Sequence, residues 1–61
     1  MGWVYDGGHW YYHGSSGAQQ YGWIMDRGSW YYLSPSGSMV TGWQLLGGTW
    51  YHFAPSGAWI G

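Results

Sequence analysis

At 61 residues the chain forms one domain at most, and at that size only about 60% of the surface exposed by the unfolded chain is buried, so the core is thin. The absence of cysteine excludes disulfides and thiolate metal ligation, and a single Arg against two carboxylates excludes the basic face that nucleic-acid binding by counterion release requires. Seven Trp, seven Tyr and one Phe remain to stabilise the fold, each ring able to bury roughly 150–250 Å².

The sequence repeats with a period of 20 and no gaps, over residues 1–20, 21–40 and 41–60, with Gly61 left over. Seven of the twenty columns are identical in all three copies: Gly2/Gly22/Gly42, Trp3/Trp23/Trp43, Gly8/Gly28/Gly48, Trp10/Trp30/Trp50, Tyr11/Tyr31/Tyr51, Ser16/Ser36/Ser56 and Gly17/Gly37/Gly57. That identity establishes a shared structure and, by itself, no function.

In the first copy, Gly2–Asp6 and His9–His13 are short runs rich in aromatic and β-branched residues around Gly7-Gly8, which predicts a β-hairpin with a two-residue turn. Ser15-Ser16-Gly17 then redirects the chain. The second copy turns at Arg27-Gly28 and loops at Pro35-Ser36-Gly37; the third turns at Gly47-Gly48 and loops at Pro55-Ser56-Gly57. Glycine at the second turn position accepts the positive φ such turns demand. Thirteen glycines at this spacing interrupt any helix. One hairpin is marginal in water, so each must lean on its neighbour. The predicted class is all-β: three tandem β-hairpin repeats forming a short solenoid, in a single repeat domain, 1–61.

A two-residue turn pairs position 6 with 9, 5 with 10, 4 with 11 and 3 with 12, and side chains alternate between faces. One face of the first hairpin then carries Trp3, Tyr5, Trp10 and Tyr12, the other Val4, Tyr11 and His13. The equivalent first faces carry Trp23, Met25, Trp30 and Tyr32, then Trp43, Leu45, Trp50 and His52. Tyr11, Tyr31 and Tyr51 are read as packing residues. Two indoles converging on one face beside a Tyr of the adjoining unit form an open-topped aromatic box, suited to a quaternary ammonium or a sugar ring.

Other constellations are weak. His9 and His13 lie about 13 Å apart along a strand at ~3.3 Å per residue, too far to share one metal ion. Asp6 and Asp26 occupy equivalent turn positions in separate units, where Asp serves the turn, whereas a glycosidase needs carboxyls about 5–10 Å apart. Ser16, Ser36 and Ser56 read as turn residues. No catalytic residue, metal site or cofactor is expected. No apolar run approaches the ~18 residues of a membrane span, and no signal peptide is evident.

The elements at Tyr21–Trp23, Gly28–Leu33 and Ser36–Met39, recurring throughout the chain, resemble the choline-binding or cell-wall-binding repeat of bacterial and phage surface proteins. The resemblance implies a left-handed solenoid with about three units per turn, hence about one superhelical turn here. It also implies choline bound between consecutive units by the two Trp of one unit and the second Tyr of the next. The sites so implied are Trp3, Trp10 and Tyr32, then Trp23, Trp30 and His52 with Met25 on the same face. His52 departs from the pattern, so the second site is expected to be the weaker. Trp43 and Trp50 form a half-site, open to completion by Tyr12 of another chain or by Trp59, which stands where the second copy has Met39.

The expected function is therefore a non-enzymatic module recognising choline or similar quaternary ammonium groups, as on cell-wall teichoic acid. Each desolvated cation–π contact contributes ~0.5–2 kcal/mol, so three rings approach the ~4 kcal/mol of a millimolar dissociation constant. Useful attachment to a choline-bearing polymer then depends on linked sites. The expected location is extracellular or cell-wall associated for a natural chain. Homo-oligomers through the exposed end repeats are a further expectation, since the hairpin edges carry no charged gatekeepers. Two readings stand beside it: a glucan or other carbohydrate-binding repeat, and an engineered self-assembling scaffold whose aromatics only pack.

Overall fold

The structure is a computed structural model describing residues 2–61. Six five-residue strands form: β1 (Gly2–Asp6), β2 (His9–His13), β3 (Gly22–Asp26), β4 (Ser29–Leu33), β5 (Gly42–Leu46) and β6 (Thr49–Phe53). They pair as three separate antiparallel hairpins, β1-β2, β3-β4 and β5-β6. The register is the one that two-residue turns dictate: Asp6 faces His9, Tyr5 faces Trp10, Val4 faces Tyr11 and Trp3 faces Tyr12, and the later hairpins repeat it. Both central turn residues have positive φ, 59° and 85° at Gly7-Gly8 and 52° and 82° at Arg27-Gly28. This is the type I′ geometry whose twist matches that of the flanking strands.

After each hairpin the chain folds back on itself. The Ser34 amide donates to the Ser38 carbonyl at 2.8 Å, and Leu33 bridges Met39 as a short third rung; His13 with Gln19 and Phe53 with Trp59 do the same. That rung carries the inter-unit bond. The Met39 amide donates to the Trp10 carbonyl and the Trp59 amide to the Trp30 carbonyl, both at 2.8 Å, so each loop is fastened to the hairpin before it.

Packing between units completes the short solenoid. Gly37 and Gly57 are buried, with φ of 94° and 95°, and a Cβ on either would collide with the preceding unit, at Gln19 and at Met39 respectively. Backbone conformation and close approach thus act together at Gly37 and Gly57, while at Gly17, with φ 85° and open space around it, conformation acts alone. Among the described residues, only Leu33 and Phe53 have fully buried side chains. Phe53 lies 5.6 Å from the Trp23 ring of the preceding hairpin. The core is a column of one residue per junction.

Candidate functional site

Each junction between hairpins forms an aromatic-walled cavity open to solvent. The first, of about 310 Å³, is lined by Trp3 and Trp10 from the first hairpin, Asp26, Arg27, Tyr31 and Met39 from the second unit, and Ser56 from the third. The second, of about 350 Å³, is lined by Trp23, Trp30, Tyr51 and Trp59. Their walls stand at steep angles around the void. Trp3 and Tyr31 are 4.9 Å apart at 68°; Trp23 meets Tyr51 at 5.1 Å and 71°, and Trp30 at 6.3 Å and 85°. Trp59 closes the fourth side, 6.1 Å from Trp23 and 5.9 Å from Tyr51. Edge-on contacts hold the rings while leaving faces uncovered: Trp23, Trp30 and Trp59 remain 38%, 41% and 42% exposed. Uncovered faces of this kind attract a cation through the ring quadrupole.

The pairs Trp3/Trp10 and Trp23/Trp30 therefore come together as the repeat predicts, but the ring supplied by the following hairpin differs from the expectation. It is Tyr31 and Tyr51 that line the cavities, while Tyr32 and His52 lie elsewhere. Tyr32 packs 5.2 Å from Trp23 within its own hairpin, and His52 stacks on Trp43 at 4.3 Å and 7°. The reason is parity. Units stack in one orientation, so the face that a hairpin turns back towards its predecessor is the one opposite its own Trp pair, and Tyr31 and Tyr51 occupy that face.

Three further expectations change with it. His52 no longer weakens the second cavity, which is bounded by four rings. Met25 faces Trp30 across the hairpin, is 50% exposed and lines neither of these two cavities. Trp59 joins the second cavity and not the third Trp pair, because its amide is bonded to Trp30. Trp43 and Trp50, the third Trp pair, stay 61% and 60% exposed.

Sequence reasoning missed Met39 in the first cavity, Trp59 as the fourth side of the second, and the polar rim of the first. The signal available was modest: position 19 of the repeat runs Gln19, Met39, Trp59, and Met39 and Trp59 are the residues whose amides bond to a preceding hairpin. The rim was hidden by reading Asp26 as a turn residue. Its carboxylate instead accepts a 3.0 Å hydrogen bond from the Trp3 indole Nε1 across the junction. Among the described residues, no three potential metal-ligating side chains come together.

A protein-family model described as a choline-binding repeat matches residues 1–41, and one described as a cell wall binding repeat matches residues 41–58. Among solved structures, CbpJ from Streptococcus pneumoniae is 51% identical over 98% of this chain and 21% of its own, with a TM-score of 0.95. Choline binding protein F from the same organism, solved in the presence of a peptidoglycan analogue, is 48% identical over 98% of this chain and 20% of its own, with a TM-score of 0.95. The multimodular pneumococcal cell wall endolysin from phage Cp-1, complexed with choline, is 43% identical over 97% of this chain and 18% of its own, with a TM-score of 0.90. The chain spans about a fifth of the length of these structures. No curated protein sequence matches it.

Proposed function

This chain belongs to the choline-binding repeat family, and from that premise we propose that its two inter-hairpin cavities each hold one quaternary ammonium group. In the first, the ammonium sits against Trp3, Trp10 and Tyr31 beside Met39; in the second, against Trp23, Trp30, Tyr51 and Trp59. The observation that carries this reading is the set of half-exposed rings around a void at both junctions. Cores do not leave indoles 38–42% exposed without use.

Three rings at ~0.5–2 kcal/mol each sum to roughly 1.5–6 kcal/mol, a range that brackets the ~4 kcal/mol of a millimolar dissociation constant. Two cavities on one rigid body gain by linkage when the ligand is repeated along a polymer. The 61 residues act as a single non-catalytic attachment domain for a choline-bearing cell-wall polymer, and the choline complex of the phage endolysin supports that partner. Copies of the chain further associate end to end. The first hairpin offers Asp6 and Tyr11 where Asp26 and Tyr31 line the first junction, and the uncovered Trp43 and Trp50 are the complement of that face.

The test is titration with choline, followed by tryptophan fluorescence and thermal unfolding. Saturable quenching with a rise in Tm is expected. Unchanged fluorescence and Tm up to high choline, with retardation by a polysaccharide, would reject the ammonium reading in favour of sugar stacking.

A further inference from the structure

The two junctions differ in charge. Asp26 and Arg27, consecutive residues at the tip of the second hairpin, line the first cavity, whereas four aromatic rings alone line the second. The third hairpin has Leu46 and Gly47 at the corresponding positions. Arg27 is the chain's single Lys/Arg residue, is exposed, and has φ 52° where the other two turns place Gly7 and Gly47. The left-handed region disfavours a residue with a Cβ, so the backbone gains nothing from an Arg there. Its charge is the feature to explain.

A guanidinium beside a bare quaternary ammonium is repulsive, and the Asp26 carboxylate, held by Trp3, offsets that repulsion. An anionic group attached to the ammonium reverses the sign of the Arg27 contribution. A guanidinium then meets a phosphate or carboxylate, which its planar fork is shaped to bind.

Resting on the reading that the cavities take a quaternary ammonium, we infer that the first cavity selects a zwitterion. The ammonium lies against Trp3, Trp10 and Tyr31 beside Asp26, and a phosphate ester a few bonds away is held by Arg27. The second cavity takes the ammonium and is indifferent to the group it is attached to. Arg27 is thus a specificity-determining residue at one junction of the two.

The test compares choline with glycerophosphocholine on the intact chain by indole ¹H–¹⁵N NMR, with Trp3 reporting the first cavity and Trp23 the second. The second cavity controls for the added bulk. At low salt the preference for glycerophosphocholine is expected to be about 1.5- to fivefold greater at the first cavity than at the second. It should vanish near 1 M salt, where the screening length falls to ~3 Å. Arg27→Gly, which installs the residue of the third turn, should strengthen choline binding and weaken glycerophosphocholine binding at the first cavity only, while Arg27→Lys keeps the preference. Equal preferences at the two cavities, or a first-cavity preference untouched by Arg27→Gly, overturn the inference and leave ammonium binding standing. Choline shifts at neither indole overturn the ammonium reading, and the inference with it.

Discussion

The amide of Trp59 donates to the carbonyl of Trp30 at 2.8 Å, so the last loop is bonded to the strand that supplies one wall of the second cavity. The bond is made by the backbone, and the indole of Trp59 is free to act as the fourth wall. Trp59→Ala should therefore leave the loop in place and lower ligand affinity at the second cavity by about 2–30-fold, the loss of one cation–π contact of ~0.5–2 kcal/mol. The first cavity, lined by Met39, should be unchanged. Site-resolved NMR titration checks both halves of this.

Neighbouring residues of the third hairpin separate the two possible phases of the aromatic triad. Tyr51→Ala removes a wall of the second cavity and should weaken binding there by a similar factor. His52→Ala removes a ring stacked on Trp43 at 4.3 Å and should leave that affinity within about twofold. Isothermal titration of the pair gives the answer. A larger loss from His52→Ala than from Tyr51→Ala would reverse the assignment.

Gly57→Ala should destabilise the fold by about 1–3 kcal/mol, since φ is 95° and the new Cβ meets Met39 of the preceding unit. Gly48→Ala, at φ 84° with open space around its Cβ, carries the backbone penalty alone and should cost less. Chemical denaturation of the two variants separates conformational strain from steric contact.

Asp26→Leu copies Leu46 of the third hairpin and deletes the acceptor of the Trp3 indole N–H. A loss of about 0.5–1.5 kcal/mol in stability is expected for one part-buried hydrogen bond. The Trp3 indole proton should move upfield while that of Trp23 stays put, which NMR reads directly.

Local pairing was legible in the sequence because the turn determines it. Once Gly7-Gly8, Arg27-Gly28 and Gly47-Gly48 are read as two-residue turns, every cross-strand partner is determined, from Asp6 with His9 to Trp43 with His52. The turn leaves open which face of a hairpin meets the hairpin before it. Tyr31 and Tyr32 are adjacent in sequence and point to opposite faces, so an error in stacking sense exchanges a wall residue for a support residue. The bonds from Met39 to Trp10 and from Trp59 to Trp30 help to fix that sense, and no periodicity announces a backbone bond 29 residues away. The carboxylate of Asp26 was hidden for a related reason: a turn position explains an Asp so readily that its reach to Trp3 leaves no separate mark in sequence.

Leu33 and Phe53 are the only fully buried side chains among the described residues, and Trp10, Trp23, Trp30 and Trp59, each 38–42% exposed, line cavities open to solvent. A filled cavity covers those surfaces, so occupancy completes the hydrophobic interior that the chain alone leaves unfinished. A ligand binding only the folded state adds about 2.7 kcal/mol per site at a hundred times its dissociation constant, a large share of what so small a domain can possess. Durability is thereby conditional on place. With its cavities filled the chain should open less often, and be cut more slowly by proteases, than with them empty, so that attachment and survival become one equilibrium.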